Sequence, residues 1–150
     1  MIKKFISLML FAGVLAAGTS TASAQSADDH AYTEGPVVVV SYVRTEPGMF
    51  DEYLKYLGTT YKKLMDEYKK AGLIVGYSVF SAEPRNGTDA DLILTITYKN
   101  YAALDNLAEK SDPIDRKIWG SLTKADEAAA GRTKMRTNVG GQTLRELILK

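Results

Sequence analysis

What this chain lacks narrows its chemistry first. Its 150 residues include no cysteine and one histidine, His30. That excludes disulfides, thiol nucleophiles, zinc–thiolate centres and an acylated lipoprotein cysteine. His30 follows Asp28 and Asp29, and an Asp-Asp-His cluster can hold a divalent cation. Nothing else in the sequence completes such a site, so a solvated polar tail is the competing reading and no metal is expected. Chemistry is left to hydroxyls, amides, carboxylates, Lys and Arg, and to the substrate itself. The only tryptophan, Trp119, is expected to converge with Tyr77 or Tyr98 inside the fold. Aromatics around an apolar lining suit a flat, partly polar ligand, such as a quinone or polyphenol, whose oxygens meet tyrosine hydroxyls. Each of these side chains also suits ordinary core packing. Arg132, Lys134 and Arg136 form a basic loop that is either simply solvated or gates an anionic ligand. Glu83 and Asp91 flank a turn and do not read as paired catalytic carboxylates.

The stretch from Pro47 to Tyr98 must position these groups. Phe50, Tyr53, Leu54, Leu57, Tyr61, Leu64, Met65 and Tyr68 recur at three- and four-residue steps, which predicts a long amphipathic helix. Pro47 suits its first turn and Gly72 its C-terminal cap. Gly58 interrupts the pattern at a cost of about 1 kcal/mol against Ala. It is therefore expected to allow close approach by a strand or a ligand. Two strands follow, Leu73–Ser81 and Asp91–Lys99, with Asn86-Gly87 marking the turn between them. Both strands are apolar on both faces. The helix covers one face, but an antiparallel sheet open to water normally alternates apolar with polar. The second face therefore predicts another cover, a second copy of the chain.

Met1 to Ala24 read as a secretory signal: Lys3 and Lys4, an apolar run from Phe5 to Ala17, and a small-residue cleavage site at Ala22-Ser23-Ala24. The run is too short for a confident membrane span. A periplasmic or secreted protein starting at Gln25 is expected, without stable membrane insertion. Losing Lys3 and Lys4 lowers the formal charge of +1 by two, to −1, which gives no electrostatic case for nucleic acid or an anionic membrane. Residues 25–36 read as a flexible segment and 37–150 as one domain. In it, Val37–Arg44 is a β-branched strand. A short helix covers Tyr101–Glu109. Asp112 and Pro113 restart a helix that ends at Gly131, and Gly140-Gly141 turns into a last strand, Gln142–Leu149. The order β-α-β-β-α-β predicts an α+β, ferredoxin-like fold: a four-stranded antiparallel sheet with helices on one face.

The stretches VVVVSYVRTEPGMFDEYLKYL, GLIVGYSVF and DLILTITYKNYAAL give the chain, over Val37 to Leu149, a pattern that resembles the dimeric α/β-barrel superfamily. That superfamily includes antibiotic-biosynthesis-type monooxygenases, stress-responsive barrel domains and NIPSNAP-like proteins. The resemblance implies a homodimer with sheets packed face to face, and a ligand cavity between each sheet and its helices. Its haem-degrading members use an asparagine, a tryptophan and a histidine. Trp119 matches the tryptophan, but His30 lies outside the resembling region and the first strand offers Ser41 and Tyr42 instead of asparagine. Haem chemistry is therefore not expected, and no cofactor is. Cofactor-free quinone oxygenation asks for less, and Tyr42, Tyr77, Tyr98, Arg116 and Trp119 are the candidate ligand-binding residues.

Three functions remain open on this basis. One is an exported homodimer binding a small hydrophobic or aromatic molecule. Another is a cofactor-independent monooxygenase or isomerase acting on a quinone- or phenol-type substrate. The third is a stress-related structural or interaction protein without a pocket. A cavity of about 300 Å³ or more separates the first two from the third.

Overall fold

Four successive valines favour extended backbone, and Val37–Val40 sit in the middle of the first strand, β1 (Tyr32–Thr45). In the computed structural model, residues 30–150 are described. The expected signal with its cleavage site, and Asp28 and Asp29, lie outside the described residues. Ala31–Lys150 form one compact unit. β1 starts at Tyr32, inside the segment read as flexible, because Tyr32–Glu34 pair with Leu147–Leu149 of the last strand.

Gly48, at φ 76°, makes the turn out of β1. The long helix follows as α1 (Phe50–Tyr56), a π-helical stretch (Leu57–Tyr61) and α2 (Lys62–Lys70). The π stretch is where Gly58 sits. On an unbroken helix, at about 100° per residue, the twelve steps from Tyr53 to Met65 end about 120° off the starting face. One inserted residue recovers about 100° of that drift. Tyr53, Leu57 and Met65 are consequently all buried. The expected close approach at Gly58 is corrected: Gly58 is exposed, and a Cβ there would meet no heavy atom within 4 Å.

After the helix come β2 (Gly76–Ser81), β3 (Leu92–Tyr98), a 3-10 turn (Tyr101–Leu104), α3 (Leu107–Trp119), α4 (Leu122–Gly131), a second 3-10 turn (Arg132–Lys134) and β4 (Arg136–Leu149). The helical break falls later than Asp112-Pro113. α3 carries Pro113 within it and stops at Gly120, φ 85°, and Ser121 caps α4 by accepting from the Lys124 amide. β4 begins at Arg136 rather than Gln142. Gly140 and Gly141 lie inside it beside a β-bulge whose extra residue is Val139, since Tyr42 faces Gly140 while Val43 faces Asn138. Gly141 is required there because a Cβ would lie 2.8 Å from the Val40 carbonyl oxygen.

The strands form one antiparallel sheet in the order β2-β3-β1-β4. Two split β-α-β units interleave, and the ferredoxin-like α+β class expected from the sequence is the one observed. Register pairs Val37 with Tyr98, Val39 with Ile96, Ser41 with Leu94 and Val43 with Leu92. Paired residues share a face, so these eight line the helix side. Val37 and Leu92 there are fully buried, packed with Met65 and with Tyr53 and Leu57 respectively. The opposite face, through Tyr42, Ile93 and their partners, carries no helix among the described residues and leaves Phe80 and Leu144 about half exposed, at 52% and 46%. Among the described residues, no helix is long and apolar enough to cross a membrane.

Candidate functional site

Alternation along β1 and β3 turns Val39, Ser41, Val43, Leu94 and Ile96 toward the helices. Above them the π-shifted helix leaves a cavity of about 310 Å³. Tyr53, Tyr56, Tyr61, Leu64, Met65 and Tyr68 form its helical wall. Arg132, Arg136 and Asn138 close the side where α4 passes into β4.

At that side Arg132 Nη1 donates to the Tyr56 hydroxyl at 2.8 Å, and its guanidinium carbon stands 5.6 Å from the same ring's centroid. The Tyr53 and Tyr56 rings stack, 5.9 Å apart and 10° from parallel. Further along the helix, Tyr61 meets Tyr77 edge-on at 5.9 Å. Two polar atoms of cavity-lining residues, the Tyr61 hydroxyl oxygen and Arg136 Nε, are themselves buried with no hydrogen-bond partner among the described residues. Tyr68 differs, because its hydroxyl donates to Asp115 Oδ1 of α3 at 2.7 Å. Neither Arg132 nor Arg136 has a carboxylate within ion-pair distance among the described residues.

Burial sets the acid–base character of the site. It pushes the Tyr61 hydroxyl far above the usual phenol range, with neighbouring tyrosines adding to the effect. Burial and then the bond to Asp115 do the same for Tyr68. Tyr53 is also raised by burial, although Arg136 and Arg132 pull it back. At neutral pH these phenols are donors and cannot serve as general bases. The cavity thus combines an apolar floor, a wall of aromatic donors and one cationic side. Among the described residues no group of three or more His, Asp or Glu side chains could hold a metal ion.

None of the five residues expected to bind a ligand lines this cavity. Tyr42 has the opposite parity to Ser41 and Val43, so it lies on the helix-free face, where its hydroxyl accepts from Gln142 Nε2 at 3.0 Å. There it borders a separate open depression with Arg85, Asp89 and Val139. Tyr77 is on the helix side, but its hydroxyl donates to Asp66 Oδ1 at 2.7 Å. Tyr98 is buried in the core beside Val37 and Met65. Arg116 is exposed on α3 and stands 4.0 Å from Asp112. Trp119 ends α3 half-buried, outside the cavity wall. The cause is common to the last two: α3 packs against α2, through Tyr68–Asp115 and Lys117–Glu67. The cations at the cavity come instead from the basic segment. Of its three residues, Arg132 and Arg136 reach the cavity and Lys134 does not line it.

The helix tyrosines were legible only as an apolar stripe. Gly58 within that stripe was the one signal that the helix changes phase there. Asn138 gave no signal, because the last strand was expected to begin beyond it.

The fold and this cavity define a class: an α+β protein with one antiparallel sheet and an aromatic, cationic cavity beneath its helices. Among solved structures, the crystal structure of HapK from Hahella chejuensis is similar, with a TM-score of 0.52 over 73% of this chain and 91% of that one. At 14% identity the likeness is one of fold. No family model matches the sequence, and no curated protein matches it.

Proposed function

We propose that this protein is an exported homodimer of the dimeric α/β-barrel type that holds a small aromatic molecule between its sheet and its helices. The observation that carries the reading is the cavity of about 310 Å³ between the sheet and the helices, walled by tyrosines and two arginines. Size agrees. A dry cavity of about 150 Å³ accommodates benzene, so 310 Å³ suits a molecule of two fused rings. A pocket-free structural role needs no such cavity.

The dimer rests on the helix-free sheet face, where Phe80 and Leu144 are exposed and a second sheet packed face to face would cover them. Export rests on the Lys3-Lys4, apolar, Ala22-Ser23-Ala24 pattern. Native mass spectrometry of protein purified from its own host tests all three parts together. The expected species is a dimer of chains starting at Gln25 that carries a small aromatic compound. A ligand-free monomer overturns the reading.

A second reading, cofactor-independent oxygenation or isomerisation of a quinol or phenol, is favoured by the two guanidiniums that lack carboxylate partners among the described residues. Positive charge beside a bound phenol stabilises its phenolate, the electron-rich form. Oxygen uptake or isomer formation with quinol substrates separates this enzyme from a binder.

A further inference from the structure

We infer that the guest of this cavity is an aromatic oxyanion, a carboxylate or phenolate, seated against Arg132 and Arg136 with its ring system on the apolar floor. The inference deepens the ligand-binding reading and rests on it. Arg132 and Arg136 both line the cavity. No lining residue is a carboxylate, and no described carboxylate pairs with either guanidinium. Arg132 is held in place by the Tyr56 hydroxyl and ring. Arg136 Nε is buried and unpaired. Both side chains are half-buried, and a partly desolvated cation gains from a nearby counter-charge. Planar guanidinium matches a planar oxyanion through parallel N–H donors.

The cavity's volume of about 310 Å³ leaves room for a fused bicyclic ring behind the oxyanion.

Calorimetric titration at pH 7 with 6-hydroxy-2-naphthoate and its neutral carboxamide provides the test. The full-length mature protein should bind the carboxylate at least about 10-fold more tightly, the ratio expected of a charge-assisted hydrogen bond. Arg136→Gln and Arg132→Gln should each abolish most of that preference, read as the ratio of the two compounds' dissociation constants within the same variant. Circular dichroism and melting temperature confirm that each variant is folded. Added salt, which requires no variant, should lower the ratio in the unaltered protein. Equal affinity for the two compounds overturns the anion inference and leaves the ligand-binding reading standing. Failure of both to bind at millimolar concentration overturns the two together.

Discussion

Arg132 reaches back 76 residues to hydrogen-bond the Tyr56 hydroxyl at 2.8 Å while lying over the ring of the same side chain. This joins the segment leading into β4 to the helix that follows β1. One residue thereby closes the cavity's side and places a cation on it. The double contact with Tyr56 restricts a long side chain that would otherwise be free in water, so less freedom is lost when a guest arrives.

The Tyr61 hydroxyl should cost the folded protein stability. Tyr61→Phe removes a buried hydroxyl that has no partner, so the empty protein should become more stable by up to about 1–3 kcal/mol. Urea midpoints of the two proteins check this. A loss of stability would mean that the hydroxyl makes a stabilising hydrogen bond in the empty protein.

Alkaline pH should unfold the protein. Tyr53, Tyr61, Tyr68 and Tyr98 all have folded-state pKa values raised by burial. A raised value means the folded state keeps its proton where the unfolded chain loses it. Stability is therefore unaffected below about pH 10, the ordinary phenol value, and falls as the pH rises from there toward the raised folded-state values. Tyr61→Phe should make that decline shallower by one tyrosine's share, measured as urea midpoints between pH 9 and 12.

Two glycines should respond in opposite directions. Gly58→Ala adds a methyl group in open space within the helix, so it should stabilise by up to about 1 kcal/mol. Gly141→Ala drives its Cβ against the Val40 carbonyl and should destabilise by about 1–3 kcal/mol. Chemical unfolding of the pair measures both. A destabilising Gly58→Ala would restore the close-approach reading.

The two faces of the sheet can be told apart by a charge. Leu94 is buried against Tyr53 and Leu57, and Ile96 packs in the neighbouring cluster, so both lie on the helix side. Leu94→Lys places an unpaired charge in the core and should abolish folding, a loss above about 4 kcal/mol. Phe80→Lys acts on the helix-free face and should leave a folded chain that sediments as a monomer. A Phe80→Lys variant that still sediments as a dimer would place the subunit contact elsewhere.

Secondary structure and fold class were legible in the sequence because both rest on local periodicity. A two-residue alternation in LILTITY and three- and four-residue steps from Phe50 to Tyr68 specify which backbone can bury those side chains. The absence of cysteine removed whole classes of chemistry by composition alone. Which aromatics surround a cavity depends instead on registers and crossings that join distant segments. Tyr42 and Ser41 are adjacent in sequence, yet only Ser41 faces the cavity, because the β1–β3 pairing assigns their parity to opposite faces. Tyr53 and Tyr61 share the cavity because a π turn, marked in the sequence only by Gly58, rephases the helix. Arg136 reaches the cavity because β4 begins there and runs through Gly140-Gly141 across a bulge instead of turning at it. Periodicity reports what a segment buries; non-local pairing alone decides which buried groups meet.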